Sequence, residues 1–125
     1  MRYEADISLI RHGMTPGNEE HRYIGTTDEP LSKKGREQFQ RRCVEGFCKL
    51  LKEMWTRERS LSSLALVVHG GTIMALLDAF AEGSYYDYQC ANAKGYKGRL
   101  SVEFDVAGNV LRDTIKIADV RKLEE

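Results

Sequence analysis

The chain has 125 residues, 42% of them apolar and 30% charged, which suits one folded domain around a single core. Its 19 Lys and Arg balance its 19 Asp and Glu, so the composition offers no basic groove for nucleic acid and no cationic face for an anionic membrane. No apolar run is long enough to cross a bilayer, and Arg2, Glu4 and Asp6 precede the first apolar run with no apolar core of a secretory leader after them.

In chain order, Asp6-Ile7-Ser8-Leu9-Ile10 is rich in β formers and predicts a first strand, with Arg11-His12-Gly13 at its C-terminal end. Met14 to Pro30 is loop chemistry: Thr15, Pro16, Gly17, Asn18, Gly25, Asp28 and Pro30. Ser32 is a candidate N-cap for a long helix to about Trp55. Along it Phe39, Cys43, Phe47, Leu50, Leu51 and Met54 recur at spacings of three and four, giving one apolar face. Gly46 is a candidate bend. Arg57 to Ser63 is a polar connector. Leu64-Ala65-Leu66-Val67-Val68 is a continuous apolar run, the pattern of a strand buried on both faces of a parallel sheet, and it ends at His69-Gly70-Gly71. Thr72 to Ala81 predicts an apolar helix. Arg99 to Val106 and Val110 to Ile117 predict two strands joined at Ala107-Gly108-Asn109. The order β, α, β, α, β, β predicts an α/β fold with helices packed on a mostly parallel sheet with an antiparallel edge hairpin.

Cys43, Cys48 and Cys90 are odd in number and match no Cys-x-x-Cys spacing, which favours reduced thiols in a cytoplasmic protein over a disulfide framework. Tyr85, Tyr86 and Tyr88 form an aromatic group better suited to packing than to substrate. There is no Walker A sequence, no Gly-x-Ser-x-Gly elbow and no paired histidine spacing for zinc.

The chemistry concentrates where two strand-like runs both end in His-Gly. Ligands of open α/β sheets bind outside the carboxyl ends of strands, so neighbouring strands would bring His12 and His69 to one crevice. Gly70-Gly71 opens a helix whose N-terminal N–H groups favour an anion, and Arg11 adds a fork that fits phosphate oxygens. A neutral imidazole can attack phosphorus and form phospho-histidine, while the remaining groups hold the charge on the equatorial oxygens.

Leu9-Ile10-Arg11-His12-Gly13-Met14-Thr15-Pro16-Gly17-Asn18 resembles the signature of the histidine phosphatase superfamily, which is phosphoglycerate-mutase-like in fold. Gly25-Thr26-Thr27-Asp28-Glu29-Pro30-Leu31-Ser32-Lys33-Lys34-Gly35-Arg36-Glu37-Gln38 continues that pattern, and Val67-Val68-His69-Gly70-Gly71 is similar to the family's second histidine motif. In flavour the chain is similar to the small phosphatases of the α-ribazole and broad-specificity type. The resemblance implies His12 as nucleophile, with Arg11 binding the phosphate. His69 would stabilise the transferring phosphoryl group. Asn18, Gly25 and Thr26 would add phosphate or substrate contacts, with the Gly70 backbone beside them. It implies no metal and no cofactor.

The resemblance also marks a departure. In the family the first helix leads to a further strand carrying a second phosphate-binding arginine, and a later loop carries an acidic residue that protonates the leaving group. Here Gly35-Arg36-Glu37-Gln38 runs almost directly into Arg41-Arg42-Cys43-Val44, which resembles the helix before the second histidine strand. Residues 1–125 therefore read as a single such domain lacking its usual middle segment, joined near 38–41. A natural deletion, an engineered or cleaved chain, and a subunit completed by a partner chain all fit. Asp28, Glu29 and Glu82 stay open as substitute acids. The expected function is phosphomonoester hydrolysis through phospho-His12 on a small phosphorylated metabolite. A phosphoglycerate-type mutase and an inactive phosphate-binding or assembly domain are the alternatives. Surface left uncovered by the missing segment predicts a homodimer or larger assembly.

Overall fold

The computed structural model describes residues 1–11, 33–88 and 94–123. Strand β1 (Arg2–Arg11) is followed by helix α1 (Lys33–Arg57), strand β2 (Ser63–Val68), helix α2 (Gly70–Phe80), a 3-10 turn (Tyr85–Tyr88), and strands β3 (Gly95–Phe104) and β4 (Val110–Lys122). The strands make one four-stranded sheet in the order β2-β1-β3-β4.

Alternation along β1 decides which way the sheet faces. Tyr3, Ala5, Ile7 and Leu9 are buried, while Arg2, Glu4 and Asp6 are exposed. A strand's side chains alternate between faces, so one face of the sheet is core and the other is solvated. The antiparallel partner repeats the pattern: Tyr96, Leu100, Val102 and Phe104 of β3 are buried, in register with Leu9, Ala5 and Tyr3 across the ladder. On the bare face Arg99 of β3 reaches Asp6 of β1 at 3.1 Å.

Both helices lie against the buried face. In α1 the spacing of four between Phe47, Leu51 and Trp55 places all three toward the sheet, and all three are buried. Trp55 stacks on Phe104 with ring centroids 4.3 Å apart and meets the edge of Tyr3 at 6.1 Å. Phe47 meets Phe80 of α2 at 5.8 Å, closing the layer between the helices. Ile73, Ala75, Leu76 and Leu77 bury the inner side of α2. Leu50, one position short of Leu51, is rotated about 100° from it and is 49% exposed, so the apolar face of α1 is narrower than its sequence suggests. No bend interrupts α1 at Gly46; a single helix runs through it.

Two expectations need correction. The sheet is not mostly parallel: β1 and β2 form the one parallel pair, and β1/β3 and β3/β4 are both antiparallel. After α2 the chain re-enters the sheet at the same end where β1 finishes, with Gly95 opposite Ile10 and the Arg11 N–H donating to the Lys94 carbonyl at 2.7 Å. A strand that starts there must run against β1. Secondly, β2 is not buried on both faces. It is an edge strand with the helices on one side, and Val67 is 64% exposed.

The β3–β4 connection is an Asx-type turn where the sequence places it. The Asp105 carboxylate accepts from the backbone N–H groups of Ala107 and Asn109, each at 2.9 Å. Those donors hold the Asp105 carboxyl below the usual carboxylate range, the Asn109 N–H contributing most. No helix among the described residues is long and apolar enough to cross a membrane.

Candidate active site at the ends of two parallel strands

Because β1 and β2 pair in parallel with Ile10 opposite Val67 and Arg11 opposite Val68, both strands leave the sheet at the same edge, side by side. This adjacency is the condition for the two His-Gly motifs to share a crevice. On the β2 side the turn is sharp. His69 is extended, at φ −72° and ψ 152°, and caps α2 through its backbone. Its carbonyl accepts from the N–H groups of Thr72 at 3.0 Å and Ile73 at 3.2 Å. The imidazole makes no capping hydrogen bond, and His69 is exposed to solvent.

The Arg11 side chain crosses from β1 onto the start of that helix. A Cβ built on Gly70 would lie 3.2 Å from Arg11 Cδ, 3.2 Å from Nε and 3.4 Å from Cζ. The guanidinium therefore rests on the Gly70 backbone, in space that any side chain at 70 would take. The first N–H groups of a helix have no intrahelical acceptor, and the dipole makes that end partially positive. No acidic residue stands in the first turn of α2 to offset this. A guanidinium laid over a helix N-terminus, with an exposed imidazole beside it, is chemistry for a phosphate-sized anion.

Behind this corner α1 braces α2 by side-chain contacts that periodicity alone does not reveal. Gln40 Nε2 donates to the Ala75 carbonyl at 2.9 Å and to Asp78 Oδ2 at 2.8 Å. Burial raises the pKa of the Cys43 thiol, and the side chain of Thr72 in the first turn of α2 opposes that rise. Cys43, on the apolar face the sequence shows, is half-buried against the core. Gln40 and Thr72 were not foreseen, since neither belongs to a motif.

Of the expected site residues, Arg11, His69 and Gly70 meet at this corner. His12, Asn18, Gly25 and Thr26 lie outside the described residues, as do Asp28 and Glu29. Glu82 sits beyond the C-terminal end of α2, whose length of about 16 Å separates it from Gly70. It lines a different space: a cavity of about 790 Å³ between that helix end and β4, with Lys116 and Asp119. Among the described residues that line it there is neither a histidine nor an arginine. Tyr88 is core, set edge-on to Tyr96 at 5.5 Å, while the side chains of Tyr85 and Tyr86 lie outside the description.

Fold and corner together define an α/β domain with a candidate anion site at the carboxyl ends of adjacent parallel strands. Residues 7–42 match the family model of the histidine phosphatase superfamily (branch 1), a span holding the Arg11-His12-Gly13 motif, Asn18, Gly25, Thr26 and the first turns of α1. The match stops before His69 and covers less than a third of the chain. No curated protein and no solved structure matches it.

Proposed function

We propose that the chain is a phosphomonoester hydrolase of the histidine phosphatase kind, acting through His12 on a small phosphorylated metabolite. The observation that carries this is Arg11 laid across Gly70 at the start of α2, next to His69, on strands that end side by side. The family match over residues 7–42, which contains His12, supports phosphatase or mutase chemistry in general. An imidazole nitrogen of His12 attacks phosphorus and the bond to the leaving oxygen breaks. Arg11, His69 and the helix N-terminus hold the transferring charge, with Asn18, Gly25 and Thr26 as further contacts. Water then cleaves the phosphorus–nitrogen bond and releases phosphate. Solvent exposure of His69 favours this second step over the enclosed re-donation a mutase needs.

The family match ends at Arg42, inside α1, which runs unbroken through 38–41. This supports the reading that the middle segment, with its acid, is missing. Without an acid, the leaving oxygen must depart unprotonated or take its proton from water. The domain should then turn over p-nitrophenyl phosphate, whose leaving group is already acidic. Alkyl phosphates such as glycerol phosphate should lag by about 10²- to 10⁴-fold beyond the usual gap. His12→Ala should abolish both activities. If neither ester is turned over by the unaltered chain while inorganic phosphate still binds, the domain is an inactive phosphate-binding module, the second reading.

A further inference from the structure

We infer that β2 is a self-pairing edge: two copies of this chain join through antiparallel β2 strands into one continuous eight-stranded sheet. In the β1/β2 ladder the Asp6 N–H donates to the Ser62 carbonyl at 3.0 Å, which fixes the phase of the pairing. Positions 62, 64, 66 and 68 turn their backbone groups toward β1. The N–H and C=O groups of Ser63, Ala65 and Val67 point the other way. Among the described residues no strand takes them, since β2 ends the sheet.

The two edges of the sheet are built differently. The β4 edge carries exposed Arg112, Asp113 and Lys116, a left-handed Asp119 at φ 55° and two register shifts against β3. Charge and irregularity of that kind keep an edge from pairing. Over Ser63–Val68 there is no charge, no proline, no glycine and no register shift. Exposed Val67 and Leu61, 64% and 41% accessible, extend the apolar rim.

The occupant follows from charge. An uncharged strand meets no like charge when set antiparallel to itself. Centred on Ala65, such a pairing matches every outward N–H with an outward C=O and places Val67 beside Ser63 of the second copy. The whole chain carries zero net charge, so no long-range repulsion opposes the contact. Residues 12–32 of the same chain are a poorer fit by sequence. Pro16, Gly17, Asn18, Gly25, Asp28 and Pro30 interrupt them, and their longest uninterrupted run, Glu19 to Ile24, is charged.

The test is sedimentation equilibrium over a wide concentration range, combined with amide hydrogen exchange. The expected result is a monomer–dimer equilibrium in which the amides of Ser63, Ala65 and Val67 become protected as dimer forms. Ala65→Pro removes an N–H that the β1 ladder does not use, so the domain should fold while its dimer dissociation constant rises about tenfold or more. Val67→Lys, on an exposed position, should weaken the dimer in the same direction and guards against a folding defect in the proline variant. A monomer at all concentrations overturns the inference. So does a dimer that leaves these three amides exchanging, or a monomer that already protects them, which would mean another part of the chain covers the edge.

Discussion

At the scale of single residues, the most informative position is Gly70. A methyl there would lie 3.2 Å from Cδ and Nε and 3.4 Å from Cζ of Arg11, so the side chain would have to shift by a few tenths of an ångström. Alanine is the better helix former by roughly 1 kcal/mol, so Gly70→Ala should leave thermal stability equal or slightly higher. It should nevertheless weaken inorganic phosphate binding about tenfold, the worth of one charge-assisted hydrogen bond. Calorimetric titration beside a melting curve separates the two effects; unchanged phosphate affinity would deny Arg11 its place in the site. Asp105 acts on stability alone. Its depressed carboxyl, held down by the Asn109 and Ala107 N–H groups, stabilises the turn at neutral pH. That contribution fades as pH falls below the ordinary carboxylate value of about 4 and through the lower folded value. The melting temperature of Asp105→Ala should thus lie below that of the unaltered chain from pH 5 to 8, the gap narrowing in stronger acid.

At the scale of elements, the parts legible in the sequence were those governed by local pattern. The four-residue spacing of Phe47 and Leu51 marked the buried face of α1, which Trp55 extends, and the Gly108-Asn109 turn signal marked the hairpin. Non-local facts were not legible. The apolar run at Ser63–Val68 looks the same whether the strand lies inside a sheet or at its rim, because a run records burial tendency and not neighbours. The direction of β3 was likewise invisible, being set by where the chain returns after α2 rather than by its own residues. At the candidate site, motif chemistry singled out Arg11, His69 and Gly70, which the fold places at one corner, while the Gln40 brace needed two helices to be packed first. One position joins the two kinds of information. Gly95 begins β3 opposite Ile10, and a Cβ there would collide with the Leu9 carbonyl oxygen and come within 2.9 Å of Ile10 Cα. Gly95→Ala should cost about 2–3 kcal/mol in urea unfolding by prying β1 from β3. A midpoint equal to that of the unaltered chain would show that the strands can part there at no cost.

At the scale of the whole molecule, the sheet is covered on one side only, and the helices that cover it also hold the site corner in place. Trp55, Phe104 and Tyr3 lock α1 to the far end of the sheet. Gln40, nearer the start of that helix, holds the middle and last turn of α2 through Ala75 and Asp78. The pairing order carries a further consequence. β1 lies between two strands that both come later in the chain, β2 and β3, and its first residues pair with the last of β3: Arg2 with Glu103 and Tyr3 with Val102. During synthesis the β3 side of β1 must therefore stay unpaired until residues 95–104 have been made. Between the synthesis of β2 and that of β3 the sheet can be no more than the β1–β2 pair, and a holding chaperone would find its target there rather than in the finished domain.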